Sequence, residues 1–291
     1  MNLDESFAES DLLDRICELV ERVRLGGGLG TSLNHLRRPG VNRAGEGLEL
    51  WFKHFLAGTI GHADEENIRE IWDQQFSFHG GTNNPPDVII RNSIAAEVKK
   101  TESASGTLQL NSSWPIRTLL REDAHITQEC REAETWTEKP FLFVVGRVNP
   151  TTKSLMALWI VDGRCLADDE EIYSSLMAEA RASMLTLGGD STREIGKFNS
   201  VDSLQRTALR VRPMFALDHP AKIFEKIFQP QETEQFILNV LIPTSSYLEF
   251  SEIQRKKLSE LDRDLLVRDF EIQDPTDITR LMNATLISGS W

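Results

Sequence analysis

Apolar residues recur along the chain with two periods, and their order predicts the elements. Over residues 11–24, Leu12, Leu13, Ile16, Leu19, Val20 and Val23 make a helical stripe that Gly26-Gly27-Gly28 ends. The stripe suits core packing, or a dimer contact. Over 42–60, Leu48, Trp51, Phe52 and Phe55 form one face of a second helix, expected to pack beside a sheet. Val88-Ile89-Ile90 and Ile94-Ala95-Ala96-Glu97-Val98 then have strand character around Arg91-Asn92-Ser93, which predicts a β-hairpin. Further strands are expected at 107–110, 141–148, 155–161, 206–217 and 236–242, and helices at 126–136, 168–187 and 251–268. The fold class is α/β, a mixed central sheet flanked by helices. With no internal repeat and no low-complexity linker, residues 1–40 read as an N-terminal helical extension and 41–291 as one α/β domain with helical additions.

The composition, 40% hydrophobic and 26% charged over 291 residues, is that of an ordinary globular protein with a sizeable core. No apolar run approaches the roughly 20 residues of a membrane span, and the start Met1-Asn2-Leu3-Asp4-Glu5 is acidic where a signal peptide is basic. A cytoplasmic protein away from membranes is expected. Cys17, Cys130 and Cys165 are widely spaced and odd in number, so buried reduced thiols are expected rather than disulfides or structural zinc. The six histidines show no HxH, HNH or HExxH spacing, and no serine has a Gly-x-Ser-x-Gly setting; zinc hydrolases, ββα-metal nucleases and serine hydrolases are disfavoured. The glycine run 26–30 lacks the Lys-Ser/Thr of a phosphate loop.

The candidate chemistry lies at Pro85-Pro86-Asp87 and Glu97-Val98-Lys99. Mg²⁺ takes hard oxygen ligands and keeps several waters, so one or two carboxylates plus a substrate phosphate complete its shell. Asp87 and Glu97 would supply the carboxylates, and the Lys99 ammonium would orient the attacking water or stabilise the charge that builds on phosphorus. Glu97 and Lys99 share a strand face about 6.6 Å apart, while Val98 points into the core with Val88, Ile90 and Ala96. Register decides where Asp87 falls. A two-residue Asn92-Ser93 turn pairs it with Val98, and a three-residue Arg91-Asn92-Ser93 loop pairs it with Glu97. The odd loop, or a bulge, is predicted. An isolated acid–acid–lysine pattern can equally be a solvated stripe in a chain with 45 acidic residues.

The surrounding sequence is more specific. Arg43-Ala44-Gly45-Glu46-Gly47-Leu48-Glu49, Asn83-Asn84-Pro85-Pro86-Asp87, Glu97-Val98-Lys99-Lys100, Leu108-Gln109-Leu110-Asn111-Ser112-Ser113-Trp114-Pro115, Cys130-Arg131-Glu132 before Trp136-Thr137-Glu138-Lys139, and Leu209-Arg210-Val211-Arg212 together resemble the NgoPII group of type II restriction endonucleases. The resemblance runs in order over residues 40–217. It implies the PD-(D/E)xK nuclease fold and Mg²⁺-dependent cleavage of double-stranded DNA by a homodimer that reads a short palindrome, with GGCC the associated site. It also implies 5′-phosphate ends and a cognate DNA methyltransferase acting on the same site.

On that resemblance the catalytic set is Asp87, Glu97 and Lys99. Glu46 near the start of the second helix is a candidate third carboxylate, its other reading being stabilisation of the helix dipole; Glu49 is the poorer candidate. Asp87, Glu97, Glu46 and Val98 form the implied metal set. DNA contacts are expected from Arg43, Asn83, Asn84, Lys100, Gln109, Asn111, Ser112, Ser113, Arg210 and Arg212. Turn chemistry explains the Asn/Ser loop equally well, and an exposed basic strand explains the arginine pair. A net charge of −13 places any DNA contact in a local basic patch, with Arg37, Arg38, Arg43, Arg91, Lys99 and Lys100 as candidates. A DNA-binding protein of this fold without turnover, and a repair or junction nuclease, are the alternatives.

Overall fold

The computed structural model describes residues 12–24, 46–80, 84–103, 106–110, 113–192, 194–228 and 236–291. In chain order the helices are α1 (Leu12–Arg24), α2 (Glu46–Ala57), α3 (Glu65–Gln75), α4 (Gln128–Glu132), α5 (Glu170–Thr186), α6 (Pro220–Ile223), α7 (Thr244–Glu249) and α8 (Glu252–Leu261). The strands are β1 (Phe76–Phe78), β2 (Val88–Ile90), β3 (Ala95–Thr101), β4 (Leu108–Gln109), β5 (Thr118–Leu120), β6 (Glu138–Val148), β7 (Leu155–Asp162), β8 (Asp190–Ser191), β9 (Gly196–Phe198), β10 (Leu209–Val211), β11 (Ala216–Leu217), β12 (Ile237–Pro243), β13 (Leu266–Asp274) and β14 (Asp277–Ser290).

Nine strands form one sheet in the order β1-β2-β3-β6-β7-β12-β14-β13, with β5 pairing β6 off this path. The sheet is mixed, since β3 runs parallel to β6 and β12 parallel to β7 while the other neighbours are antiparallel. Its central strands read as continuous apolar runs because both faces are covered. On one face Leu142, Val144, Leu158, Ile160, Leu238 and Val240 pack under α1, α2 and α8 through Ile16, Leu48, Phe52 and Leu258. On the other, Val145, Trp159 and Val161 meet Phe224 and Phe228, while Ile89, Ala95, Phe141 and Phe143 meet Ile116 and Leu119. The α1 stripe lies within the first of these cores. Cys17, Cys130 and Cys165 are buried free thiols, as expected.

Several expected elements differ. The helix over 126–136 shrinks to α4, capped by Thr127, because Glu134 turns inward to pair with Lys139. The strand over 206–217 is two short pieces flanking Pro213, and neither joins the main sheet: β10 pairs β9, and β11 pairs β4. The helix over 251–268 stops at Leu261, and the chain turns at Asp262 into β13. The β13–β14 hairpin and α3 carry no expectation from the sequence. The start of the helix over 42–60 lies outside the described residues before Glu46.

Candidate active site

The β2–β3 hairpin pairs Val88 with Ala96 and Ile89 with Ala95. Continued by one residue, that register sets Asp87 opposite Glu97. Ile90 N–H donates to the Ile94 carbonyl at 2.9 Å, leaving a three-residue loop with Asn92 at φ 56°, the left-handed conformation that asparagine tolerates. The odd loop is present. Glu134 Oε2 accepts the Asn92 N–H at 2.9 Å, and Lys139 Nζ donates to the Ser93 carbonyl at 3.2 Å. Arg91 donates to the carbonyls of Gln74, Asp73 and Phe76. The hairpin tip is thus held from both sides.

At its open end the Asp87 N–H donates to the Ala96 carbonyl at 2.9 Å, and the Asp87 carboxylate accepts the Val98 N–H at 2.7 Å. Lys99 Nζ lies 2.6 Å from Glu97 Oε1. Glu97 Oε2 is buried without a partner among the described residues. Burial, then the neighbouring Glu97 and Glu49 carboxylates, push the Asp87 carboxyl well above the usual range, against the Val98 N–H and Lys99. For Lys99, burial works to lower the ammonium's pKa, but Glu97, Asp87 and Glu49 outweigh it and hold it above its ordinary value. Three acids therefore crowd one lysine.

That donor set fits a hard divalent cation. An orphaned buried carboxylate oxygen and a desolvated acid beside other acids are both relieved by positive charge. Among the described residues no three His, Cys, Asp or Glu side chains enclose a ready cation cage. Val98 contributes its side chain to the core and its N–H to Asp87, so its carbonyl is the atom left for a ligand.

The helix α2 carries both candidates for the third acid. Glu46 is its first residue, and its side chain lies outside the described residues. Glu49, ranked behind it on sequence grounds, carries a charge that reaches both Asp87 and Lys99. The two are three residues apart on a helix, and spacing alone does not separate them.

The expected DNA contacts divide. Arg43, Asn83, Asn111 and Ser112 lie outside the described residues. Asn84 Nδ2 donates to the His125 carbonyl at 2.6 Å, and Ser113 Oγ to the Trp114 carbonyl at 3.2 Å. Lys100 Nζ pairs with Glu102 at 3.0 Å. Gln109 is exposed on β4, opposite Ala216. Arg210 and Arg212 do share a face, and both converge on Glu194, at 3.0 and 2.8 Å. A residue without a sequence signal also bears on the site: Lys53, paired at 2.6 Å with Glu49, whose charge reaches Asp87 and Lys99.

Comparison with known proteins supplies the family. Residues 10–273 match the NgoPII restriction endonuclease family. The chain is 34% identical over 251 residues to the type II restriction enzyme NgoPII of Neisseria gonorrhoeae, covering 85% of this chain and 89% of that protein. No solved structure matches it. A match spanning nearly the whole fold, with the acid–acid–lysine cluster inside it, establishes that the chain belongs to the NgoPII restriction endonuclease family.

Proposed function

We propose that the protein cuts both strands of DNA at a short palindrome, GGCC by analogy with its family, using Mg²⁺ and leaving 5′-phosphate and 3′-hydroxyl ends. Asp87 and Glu97 hold the ion. When bound, it supplies Lewis-acid polarisation of the scissile phosphate and neutralises developing charge. Lys99, oriented by Glu97, positions the attacking water and donates to the phosphate oxygens. Asp87 is oriented in turn by the Val98 N–H, so both carboxylates are placed by main-chain register rather than by a loop. The α2 acid, Glu49 on the described geometry, is the candidate for an outer contact to the ion. The observation that carries the reading is that Asp87, Glu97 and Lys99 are brought together, with Glu97 Oε2 buried and without a hydrogen-bond partner among the described residues.

The protein would act as a homodimer, since a palindrome is read by two-fold symmetry, beside a cytoplasmic methyltransferase that protects the same site. Arg210 and Arg212 would exchange their shared Glu194 for DNA, joined by Arg43, Lys100, Asn83, Asn84, Gln109, Asn111, Ser112 and Ser113. The test is digestion of unmethylated phage DNA with and without Mg²⁺, followed by sequencing of fragment ends. Discrete Mg²⁺-dependent bands ending at GGCC are expected. Bands at another site would correct the specificity alone. A smear, or a gel shift in Ca²⁺ with intact DNA in Mg²⁺, would overturn the restriction reading.

A further inference from the structure

Beside the Asp87–Glu97–Lys99 cluster stands a second lysine–glutamate pair, Lys53 and Glu49, whose lysine has no part in the reaction above. Lys53 Nζ donates to Glu49 Oε1 at 2.6 Å, one turn away on α2, and to the His79 carbonyl at 3.3 Å. Lys53 is 7% exposed, a depth at which lysine is found only when its charge is matched. The next residue, Gly80, has φ +96°, and a Cβ there would lie 3.1 Å from Lys53 Nζ, 3.1 Å from the Asp87 carbonyl oxygen and 3.5 Å from Glu49 Oε1. The ammonium, the α2 carboxylate and the main chain of Asp87 thus converge on one point, kept open by a glycine.

The Glu49 side chain is 32% exposed. Left alone beside Asp87 and Glu97, a flexible carboxylate with access to water would swing outward, because like charges repel and bulk solvent stabilises it. Lys53 opposes that escape. We propose that Lys53 is a positioning residue of the active site, holding Glu49 against the Asp87 end of the cluster while its bond to the His79 carbonyl fixes the loop that carries Gly80. The proposal rests on the nuclease reading, and it assigns Lys53 no contact with DNA.

The test uses the full chain and four variants: Lys53→Met, Glu49→Gln, their combination, and Gly80→Ala. Each is measured by Ca²⁺ affinity in calorimetry, single-turnover cleavage of unmethylated phage DNA in Mg²⁺, and Tm. Lys53→Met and Glu49→Gln should each weaken Ca²⁺ binding and slow cleavage by about 10- to 100-fold, the usual effect of losing a group that orients a ligand. The double variant should be no worse than the poorer single, because both changes remove one interaction. Gly80→Ala keeps every charge yet displaces the pair, so it should reproduce the loss and stands in if Lys53→Met fails to fold. A Lys53→Met protein with lowered Tm but unchanged Ca²⁺ affinity and rate would overturn the proposal and leave Lys53 a structural tie. Additive losses would overturn it too. If the unaltered protein cuts nothing in Mg²⁺ but its Ca²⁺ affinity still falls in Lys53→Met, the nuclease reading fails and the positioning role stands.

Discussion

The carboxylate of Asp87 accepts the main-chain N–H of Val98 at 2.7 Å, so the first acid of the cluster is oriented by the residue that separates the other two members. Glu97 and Lys99 flank that N–H on the same strand, and their own pair closes at 2.6 Å. A change in hairpin register would move all three groups together, because a one-residue slip turns every side chain to the opposite face.

Catalysis should therefore separate from binding at this cluster. Lys99→Met is expected to lower the single-turnover rate by about 10²–10³-fold, the range seen when one preorganised donor to a developing charge is removed, while DNA affinity in Ca²⁺ stays near that of the unaltered protein. Asp87→Ala should abolish Mg²⁺-dependent cutting. Normal cleavage by either purified variant would sink the assignment of roles.

Without a cation the acids of the site oppose one another, and burial opposes the charge on Asp87. Ca²⁺ at a hundredfold excess over its Kd should add about 2.7 kcal/mol to stability by mass action, a rise in Tm on the order of 5 °C for a chain of this size. EDTA should reverse it. Asp87→Asn keeps an oxygen for the Val98 N–H and removes the crowded charge, so its Tm without metal should exceed that of the unaltered protein and respond little to Ca²⁺. A variant that still gains the full shift would show that the ion binds elsewhere.

The β2–β3 hairpin was legible because two apolar strands and a three-residue polar loop admit few registers once Val88, Ile90, Ala96 and Val98 must be buried together. The helix over 126–136 was not, because Glu134 carries a helix-compatible pattern yet spends its carboxylate on Lys139 and Asn92, a pairing visible only in three dimensions. The β13–β14 hairpin escaped for a different reason. Along β13 mostly solvent-exposed positions such as Arg268, Asp269 and Glu271 interrupt the apolar signal, so no clean alternation marks the strand. Lys53 gave no signal at all. A lysine on an amphipathic helix reads as a solvated charge, and its burial beside the loop at His79 and Gly80 shows only in three dimensions.

The buried Glu134–Lys139 pair, with side chains 7% and 4% exposed, makes a second prediction about the hairpin. Glu134→Ala would leave an ammonium buried without its counter-charge and release the Asn92 N–H, a loss of about 3–5 kcal/mol. The Tm should fall on the order of 10 °C. Glu134→Leu combined with Lys139→Met should recover most of that stability, since the charges leave together, while the loop at Asn92 and Ser93 exchanges its amide protons faster than in the unaltered protein. A Glu134→Ala protein within about 1 kcal/mol of the parent, the value of an exposed pair, would refute the clamp.

His219 sets an acid limit on stability. It is fully buried, its Nδ1 accepts the Ala221 N–H at 3.0 Å at the start of α6, and its ring stands edge-on to Trp159 at 4.6 Å. With Nδ1 used as an acceptor, the single proton of the neutral ring sits on Nε2, which has no hydrogen-bond partner among the described residues. Burial first, and the charge of Arg147 second, lower its pKa from 6.5 to about 4. Above about pH 6.5 the imidazole is neutral in both folded and unfolded chains and contributes no pH dependence. Between that value and about 4 the unfolded chain takes up a proton that the folded chain refuses, so stability falls as pH falls, by at most about 3 kcal/mol. His219→Asn keeps a side-chain acceptor for the Ala221 N–H and removes the titration. Urea unfolding midpoints followed from pH 7.5 to pH 5 should decline more steeply in the unaltered protein than in the variant, whatever their separation at pH 7.5. Parallel declines would show that His219 accepts its proton without unfolding, and that its surroundings open more readily than their packing implies.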